Sequence, residues 1–413
     1  MDKQLMRNYA RLIAVSGVNV KKGQECILTA GPEQFDFLEM LIEELYKAGA
    51  GKVTLEWSWQ SELKLHVKYQ DEATLGAVPD YEELKLKRRS ETLPCYIYLH
   101  SEDPDGLNGM DQEKWARAKQ ARNKITKPYD DASENKYQWC VASVPGRAWA
   151  KKVFPELPED EAVEKLWEAI LRCSRAMNDD PMEAWRIHDE NLRRRCEKLN
   201  SLKIRRLIYK SESTGTDFSV GLMPESRFMG GADKLPGEDV WYNANIPSEE
   251  VFTTPRAGDA EGLLVSTMPL SYRGVLIEDF SIRFENGRVS EVHAKRNEEA
   301  LKLMVKMDKG AAMLGECALV PYESPIRQSG ILFYNTLFDE NASCHLALGA
   351  GYSMCLEGYE NRTQDEAYKL GVNDSMIHED FMIGAPDLSI TGITGDGEEV
   401  AIFRNGTWAE DSI

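Results

Sequence analysis

Apolar positions along the first 150 residues follow two alternating rhythms. Glu25-Cys26-Ile27-Leu28-Thr29 is a short apolar run soon after Lys21-Lys22-Gly23, which predicts a strand. Over 35–48 the apolar residues Leu38, Leu41, Ile42 and Leu45 fall at helical spacing, and Gly49 stands where a helix would end. Residues 52–57 read as the next strand, and 94–99 and 139–144 as two more, with a helical pattern over 112–122 between them. Strands alternating with helices imply a mostly parallel sheet covered on both faces.

The pattern then changes twice. Residues 160–177 and 181–199 carry Leu, Trp and Ile at helical spacing among many charges, and a domain boundary is expected near residue 200. Beyond it come hairpins. Residues 203–210 and 217–222 flank a Ser-Thr-Gly turn. Residues 275–284 and 288–295 flank Glu285-Asn286-Gly287, where Asn-Gly tolerates the positive φ of a type I′ turn. Residues 387–394 and 398–404 form a third pair around Gly395-Asp396-Gly397, and 297–314 reads as a helix. The predicted fold class is α/β. It has an N-terminal α/β domain over 1–200 ending in a helical segment, and a C-terminal β-rich α+β domain over 201–413 that carries the chemistry.

Composition narrows the function. Sixty-nine acidic against 50 basic residues leave a net charge of −19, a surface that repels a phosphate backbone, so no nucleic-acid partner is expected. No segment approaches the roughly 20 apolar residues of a membrane helix. The N-terminus lacks a basic-then-apolar leader, so a cytoplasmic location is expected. The eight cysteines are scattered without a C-x-x-C pair, which favours free thiols over disulfides or a cysteine-zinc cluster.

Two of the six histidines, His345 and His378, lie where carboxylates and glycines crowd. In Met376-Ile377-His378-Glu379-Asp380-Phe381-Met382-Ile383-Gly384, a strand would put His378 and Asp380 on one face. Read as a helix, 338–349 would bring Glu340 and His345 within about one and a half turns, and Gly349-Ala350-Gly351-Tyr352 then delivers a phenol. Gly315-Glu316-Cys317-Ala318-Leu319-Val320 sets one carboxylate before an apolar run, where an unpaired charge is costly. In the extended segment Asn245-Ile246-Pro247-Ser248-Glu249-Glu250-Val251-Phe252-Thr253-Thr254-Pro255, only one of two adjacent carboxylates can face a site. Each segment singly also fits a bland role. His378–Asp380 could be a strand-end hydrogen bond, Glu340 an acid at a helix N-terminus, Glu316 half of a salt bridge, and Glu249 part of a solvated face. Together they offer oxygen and imidazole ligands without a thiolate, in a number that exceeds the three protein ligands of one catalytic zinc and fits two bridged cations. Cys344 and His345 are sequence neighbours that point apart, a poor nucleophile pair.

The same segments resemble the thermophilic metallo-aminopeptidases, the family of aminopeptidase T, aminopeptidase S and peptidase PepS. The matching pieces are Asn245-Ile246-Pro247-Ser248-Glu249-Glu250-Val251-Phe252-Thr253, Leu314-Gly315-Glu316, 339–349 and 378–384, with Gly215-Thr216-Asp217-Phe218-Ser219-Val220 and the opening Tyr9-Ala10-Arg11-Leu12-Ile13 beside them. The resemblance implies two divalent cations per chain (Zn, Co, Mn or Mg) held by Glu250, Glu316, His345, His378 and Asp380, with Glu316 as the bridge. Family members commonly carry Gly where Glu249 stands, which favours Glu250 as the inward carboxylate. Tyr352 matches an active-site tyrosine that touches a metal or polarises the carbonyl, and Glu340 an acidic position that is ligand or base.

The implied activity is release of N-terminal residues from peptides with a free N-terminus. Glu316 or Glu340 would pass the proton to the leaving amine, and Tyr352 or a metal would stabilise the oxyanion. The resemblance also implies a homodimer. Alternatives from the residues themselves are another two-metal hydrolase, an amidase or phosphoesterase, and a metal-stabilised binding protein without turnover.

Overall fold

The computed structural model describes residues 1–133, 135–272 and 274–410. The chain forms two compact units, one of residues 1–185 with 232–246 and the other of 186–231 with 247–413.

The first unit is built on a parallel sheet. Glu25–Ala30 pairs with Lys52–Trp57 on one side and Cys95–His100 on the other, and the order continues through Trp139–Ser143 to Asn245–Ile246. The first strand buries Cys26, Ile27, Leu28 and Ala30 almost completely, as expected of a strand covered on both faces. Helix Phe35–Ala48 turns Phe37, Leu38, Leu41 and Leu45 inward and ends at Gly49, as the spacing predicts. Helices Gln60–Tyr69, Glu72–Gly76 and Asp80–Thr92 are additions. Together they bury only Val67, Leu75 and Gly76, so they lack the apolar stripe that marks a helix in sequence. The predicted 112–122 helix runs on to Ser133.

The division of the chain differs from a cut near residue 200. It falls at 185/186, inside the Pro181–Ser201 helix, and 232–246 returns to the first unit. The return has a local cause: Asn245–Ile246 adds to the parallel sheet beside Val141 and Ala142.

The second unit holds a nine-stranded antiparallel sheet and a four-stranded one. In the larger sheet Ile204–Ser211 pairs with Thr216–Gly221, Val275–Glu285 with Arg288–Arg296, and Ser389–Thr394 with Glu399–Arg404, the three hairpins read from sequence. Asn286 takes the positive φ its turn requires. The predicted 297–314 helix is shorter, Glu298–Met304. Beyond it Asp308 accepts from the amides of Gly310 and Ala311, and Leu314 already begins a strand. A local turn displaces the helix C-terminus there. All eight cysteines are buried thiols, with no disulfide among the described residues. No helix among the described residues is long and apolar enough to cross a membrane.

Candidate metal centre

The four-stranded sheet has the order Val251–Thr253, Leu314–Leu319, His345–Gly349, His378–Met382, all antiparallel. Its register decides which side chains meet, because directly paired residues share a face. Glu316 pairs with Ala347 and Ala347 with Asp380. Ala318 pairs with His345, and Gly349 with His378. Glu316, His345, His378 and Asp380 therefore project from one face, with small residues between them. The opposite face carries Cys317, Leu319, Leu346, Leu348 and Phe381, each at most 1% exposed in the core of the unit. Burying each of the larger of these side chains is worth ~2 kcal/mol. That hydrophobic layer fixes the polar one, since a one-residue slip would drive the charges into the core.

Glycines allow the close approaches. A Cβ on Gly315 would lie 2.1 Å from the carbonyl oxygen of Ala350. One on Gly349, at φ +104°, would lie 2.0 Å from that of Ile377. Only a residue without a side chain fits either position.

Three carboxylates and two imidazoles converge. Oxygen and nitrogen atoms of Glu250, Glu316 and His345 lie within 4.8 Å of one another, as do those of Glu316, His378 and Asp380, so Glu316 belongs to both groups. His345 Nε2 is 3.2 Å from Glu250 Oε2. His378 Nε2 is 3.1 Å from Glu316 Oε2, 3.5 Å from Asp380 Oδ1 and 3.0 Å from the Tyr352 hydroxyl. On the other side of each ring, His378 Nδ1 faces the Ala350 carbonyl at 2.8 Å and His345 Nδ1 the Ser343 carbonyl at 3.2 Å. A carbonyl only accepts, so each Nδ1 carries a proton and each Nε2 is turned to the carboxylates. Two lone pairs facing anions repel unless a proton or a cation stands between them. Buried Asp380 Oδ1 lacks a hydrogen bond of good geometry. These residues fit a divalent cation in each group.

The electrostatics express the same crowding. Burial pushes the Glu316 carboxyl up to about 7, with Asp380 and Glu250 adding to the rise and His378 opposing it. Burial works against charge on His345, but Glu250, Asp380 and Glu316 outweigh it and lift the imidazole to about 10. The same contest, won by Asp380 and Glu316, raises His378. Burial would raise Asp380 as well, but His378 and His345 bring it below its ordinary value. Burial, with the charges of Asp380 and Glu250 adding to it, holds Glu340 well above the carboxylate range. The Tyr352 hydroxyl also rises, through burial and the surrounding carboxylates.

Other expectations are adjusted. Residues 338–349 are not one helix: Glu340 starts a short 3-10 turn after helix Thr336–Asp339, and His345 opens a strand. Glu249 is buried, not solvated, with a carboxylate oxygen 3.9 Å from His188 Nε2. Cys344 is structural. Its sulfur donates to the Val320 carbonyl at 3.3 Å, and burial pushes the thiol up to about 12. Asn341 lay inside a recognised motif without a role. Fully buried, it accepts from the Glu249 amide at 2.7 Å and donates to the Leu337 carbonyl at 3.0 Å and Glu340 Oε1 at 3.4 Å. It ties the Glu250 segment to the Glu340 turn. Asp308, outside every motif, accepts from the Met376 amide at 2.6 Å and the Ser375 hydroxyl at 2.9 Å, fixing the approach to His378. A lone Asp in a polar loop gives no periodic signal.

Oxygen and imidazole donors in two groups sharing a carboxylate are the ligand chemistry of a protein built for hard or borderline divalent cations. Comparison with known proteins specifies the class. The thermophilic metalloprotease family (M29) matches residues 2–408, and the chain belongs to it. Aminopeptidase AmpS of Bacillus subtilis (strain 168) is 41% identical over 410 residues, covering 98% of each chain. Aminopeptidase PepS of Streptococcus thermophilus is 38% identical over 408 residues, again with 98% of each covered. The solved structure of wild-type AmpT from Thermus thermophilus superposes with a TM-score of 0.89 at 36% identity, covering 98% of this chain and 99% of that one.

Proposed function

We propose that this metal-dependent aminopeptidase releases N-terminal residues from peptides with two divalent cations, one held by Glu250, Glu316 and His345 and the other by Glu316, His378 and Asp380. The observation that carries the reading is the membership of Glu316 in both donor groups, which suits a carboxylate bridging a pair. Bound there, the cations supply Lewis acidity that makes water nucleophilic near neutral pH and polarises a peptide carbonyl.

The chain's own residues supply the rest. The carbonyls of Ser343 and Ala350 hold both Nδ1 protons, so each ring already turns Nε2 to the site and only the Nε2 proton would have to leave when a cation arrives. Tyr352 keeps its proton at neutral pH and places its hydroxyl 3.0 Å from His378 Nε2, beside the second donor group. There it donates to the oxyanion that develops on the substrate. Buried Glu340 keeps its proton while Asp380 and Glu250 stand uncompensated beside it. With cations in the two groups offsetting those charges, the ionised Glu340 would take the proton of the attacking water and return it to the leaving amine. A substrate's free α-amine would offer one of the held cations a further nitrogen ligand, which favours cleavage at the first residue. Zn, Co, Mn or Mg suits the donor set. The reading includes a cytoplasmic homodimer, which light scattering of the purified chain tests.

Aminoacyl chromogenic substrates, assayed beside N-acetylated and phosphate-ester versions, test the activity. Free-amine substrates should be cleaved and the others not. Chelation should abolish turnover, and Zn, Co or Mn should restore it with two ions per chain. Equal cleavage of acetylated substrate, or full activity with one ion, contradicts the reading.

A further inference from the structure

Thr254 lies just past strand Val251–Thr253 and is completely buried. Its hydroxyl donates to the Gly315 carbonyl at 2.8 Å and accepts from the Tyr352 amide at 2.7 Å. The directions are forced, because a carbonyl only accepts and an amide only donates. One bond therefore ends on the peptide unit that leads into Glu316, and the other on the amide of Tyr352 itself. The hydroxyl is closely packed: a Cβ on Gly351 would lie 3.1 Å from its oxygen. The Phe252 ring, two residues earlier on the same face, packs edge-on against Tyr352 with centroids 5.7 Å apart.

We propose that Thr254 is a positioning residue that sets the distance between the Tyr352 hydroxyl and the Glu316 side of the centre. This rests on the reading of Tyr352 as the oxyanion donor. The Gly349–Ala350–Gly351 approach to Tyr352 has no side chain long enough to pack, and Tyr352 itself is 37% exposed. Phe252 and His378 bear on the phenol ring from the side, with centroids 5.7 and 4.8 Å away, and the Thr254 bond holds the backbone at its root. Losing the Thr254 hydroxyl frees that root, and a displacement of ~1 Å at a reacting group is enough to cost about a hundredfold in rate.

The experiment is a double-mutant cycle on the metal-loaded full chain with an aminoacyl chromogenic substrate. Thr254→Val, which keeps the shape and removes the hydroxyl, should lower kcat about 10- to 100-fold, with KM and metal content within about twofold of the parent. Thr254→Ser should stay within about threefold. In a Tyr352→Phe background, Thr254→Val should cost less than about threefold more, because the group it positions is already gone. If Thr254→Val does not fold, Thr254→Ala takes its place in the cycle. An undiminished kcat in the hydroxyl-free variant overturns the proposal, as does a loss that multiplies in full onto that of Tyr352→Phe or one that comes with loss of metal. If Tyr352→Phe alone leaves kcat intact, it is the role given to Tyr352 that fails, a result distinct from the others.

Discussion

Removing the cations from the centre should leave a protein whose stability depends on pH through Glu316. An unfolded glutamate titrates near 4.5, whereas the folded Glu316 is held at about 7. At about 1.4 kcal/mol per pH unit, keeping this carboxylate ionised in the metal-free fold costs ~3 kcal/mol relative to the unfolded chain. The folded state binds the proton more tightly than the unfolded one. The metal-free protein is therefore most stable with respect to Glu316 below pH 4.5, and it loses that stability as the pH rises through about 7. His345 adds to the same trend at higher pH. Lifted to about 10, it contributes stability that is full below 6.5 and is lost as pH rises through about 10. The assay is urea denaturation of chelator-treated protein between pH 5 and 8, compared with Glu316→Gln treated identically. The glutamine keeps the shape and cannot ionise. Its stability relative to the parent should increase by ~2–3 kcal/mol across that window. Reloading the parent with zinc should invert its own slope, because the cation stabilises the ionised ligands. Parallel profiles for parent and Glu316→Gln would refute the reasoning. They would mean that Glu316 does not titrate as a buried member of a cluster of like charges.

Three further outcomes follow from the geometry. Tyr352→Phe should lower kcat by ~10²–10³ with metal content unchanged, the effect of losing one oxyanion donor, read by steady-state kinetics. Asp308→Ala removes the acceptor for the Gly310, Ala311 and Met376 amides and the Ser375 hydroxyl. It should cost ~2 kcal/mol in denaturation and weaken metal retention on dialysis. The backbone and Ser375 bonds overcome burial and hold Asp308 below its ordinary value, so its contribution is present above pH 3.8 and fades as the pH falls. Gly349→Ala drives a methyl into the Ile377 carbonyl at a positive φ. It should destabilise the unit by ~3 kcal/mol and misplace His378, seen as a lower Tm together with lost metal.

Much of this molecule is written in local pattern. The Asn286-Gly287 turn and the Gly395-Asp396-Gly397 turn specified hairpins, because the φ values of a tight turn depend only on neighbours. His378 and Asp380 were legible as a same-face pair because residues two apart in a strand share a face. Family motifs named Glu250, Glu316 and His345, but no spacing in the chain says that Glu316 and Asp380 flank Ala347. That is a matter of register between strands more than 60 residues apart in sequence, which only the packing of Cys317, Leu319, Leu346, Leu348 and Phe381 on the reverse face decides. The return of 232–246 to the first sheet is equally invisible locally, since a two-residue parallel pairing has no turn to announce it. Thr254, Asn341 and Asp308 complete the division. A hydroxyl, an amide and a carboxylate in irregular backbone carry no periodicity, and their partners are chosen by burial, where each unmet donor or acceptor would be costly. Sequence sufficed for the kinds of side chain and the elements that bear them; their distances belong to the folded chain, because hydrophobic layers far apart in sequence set the register that brings them together.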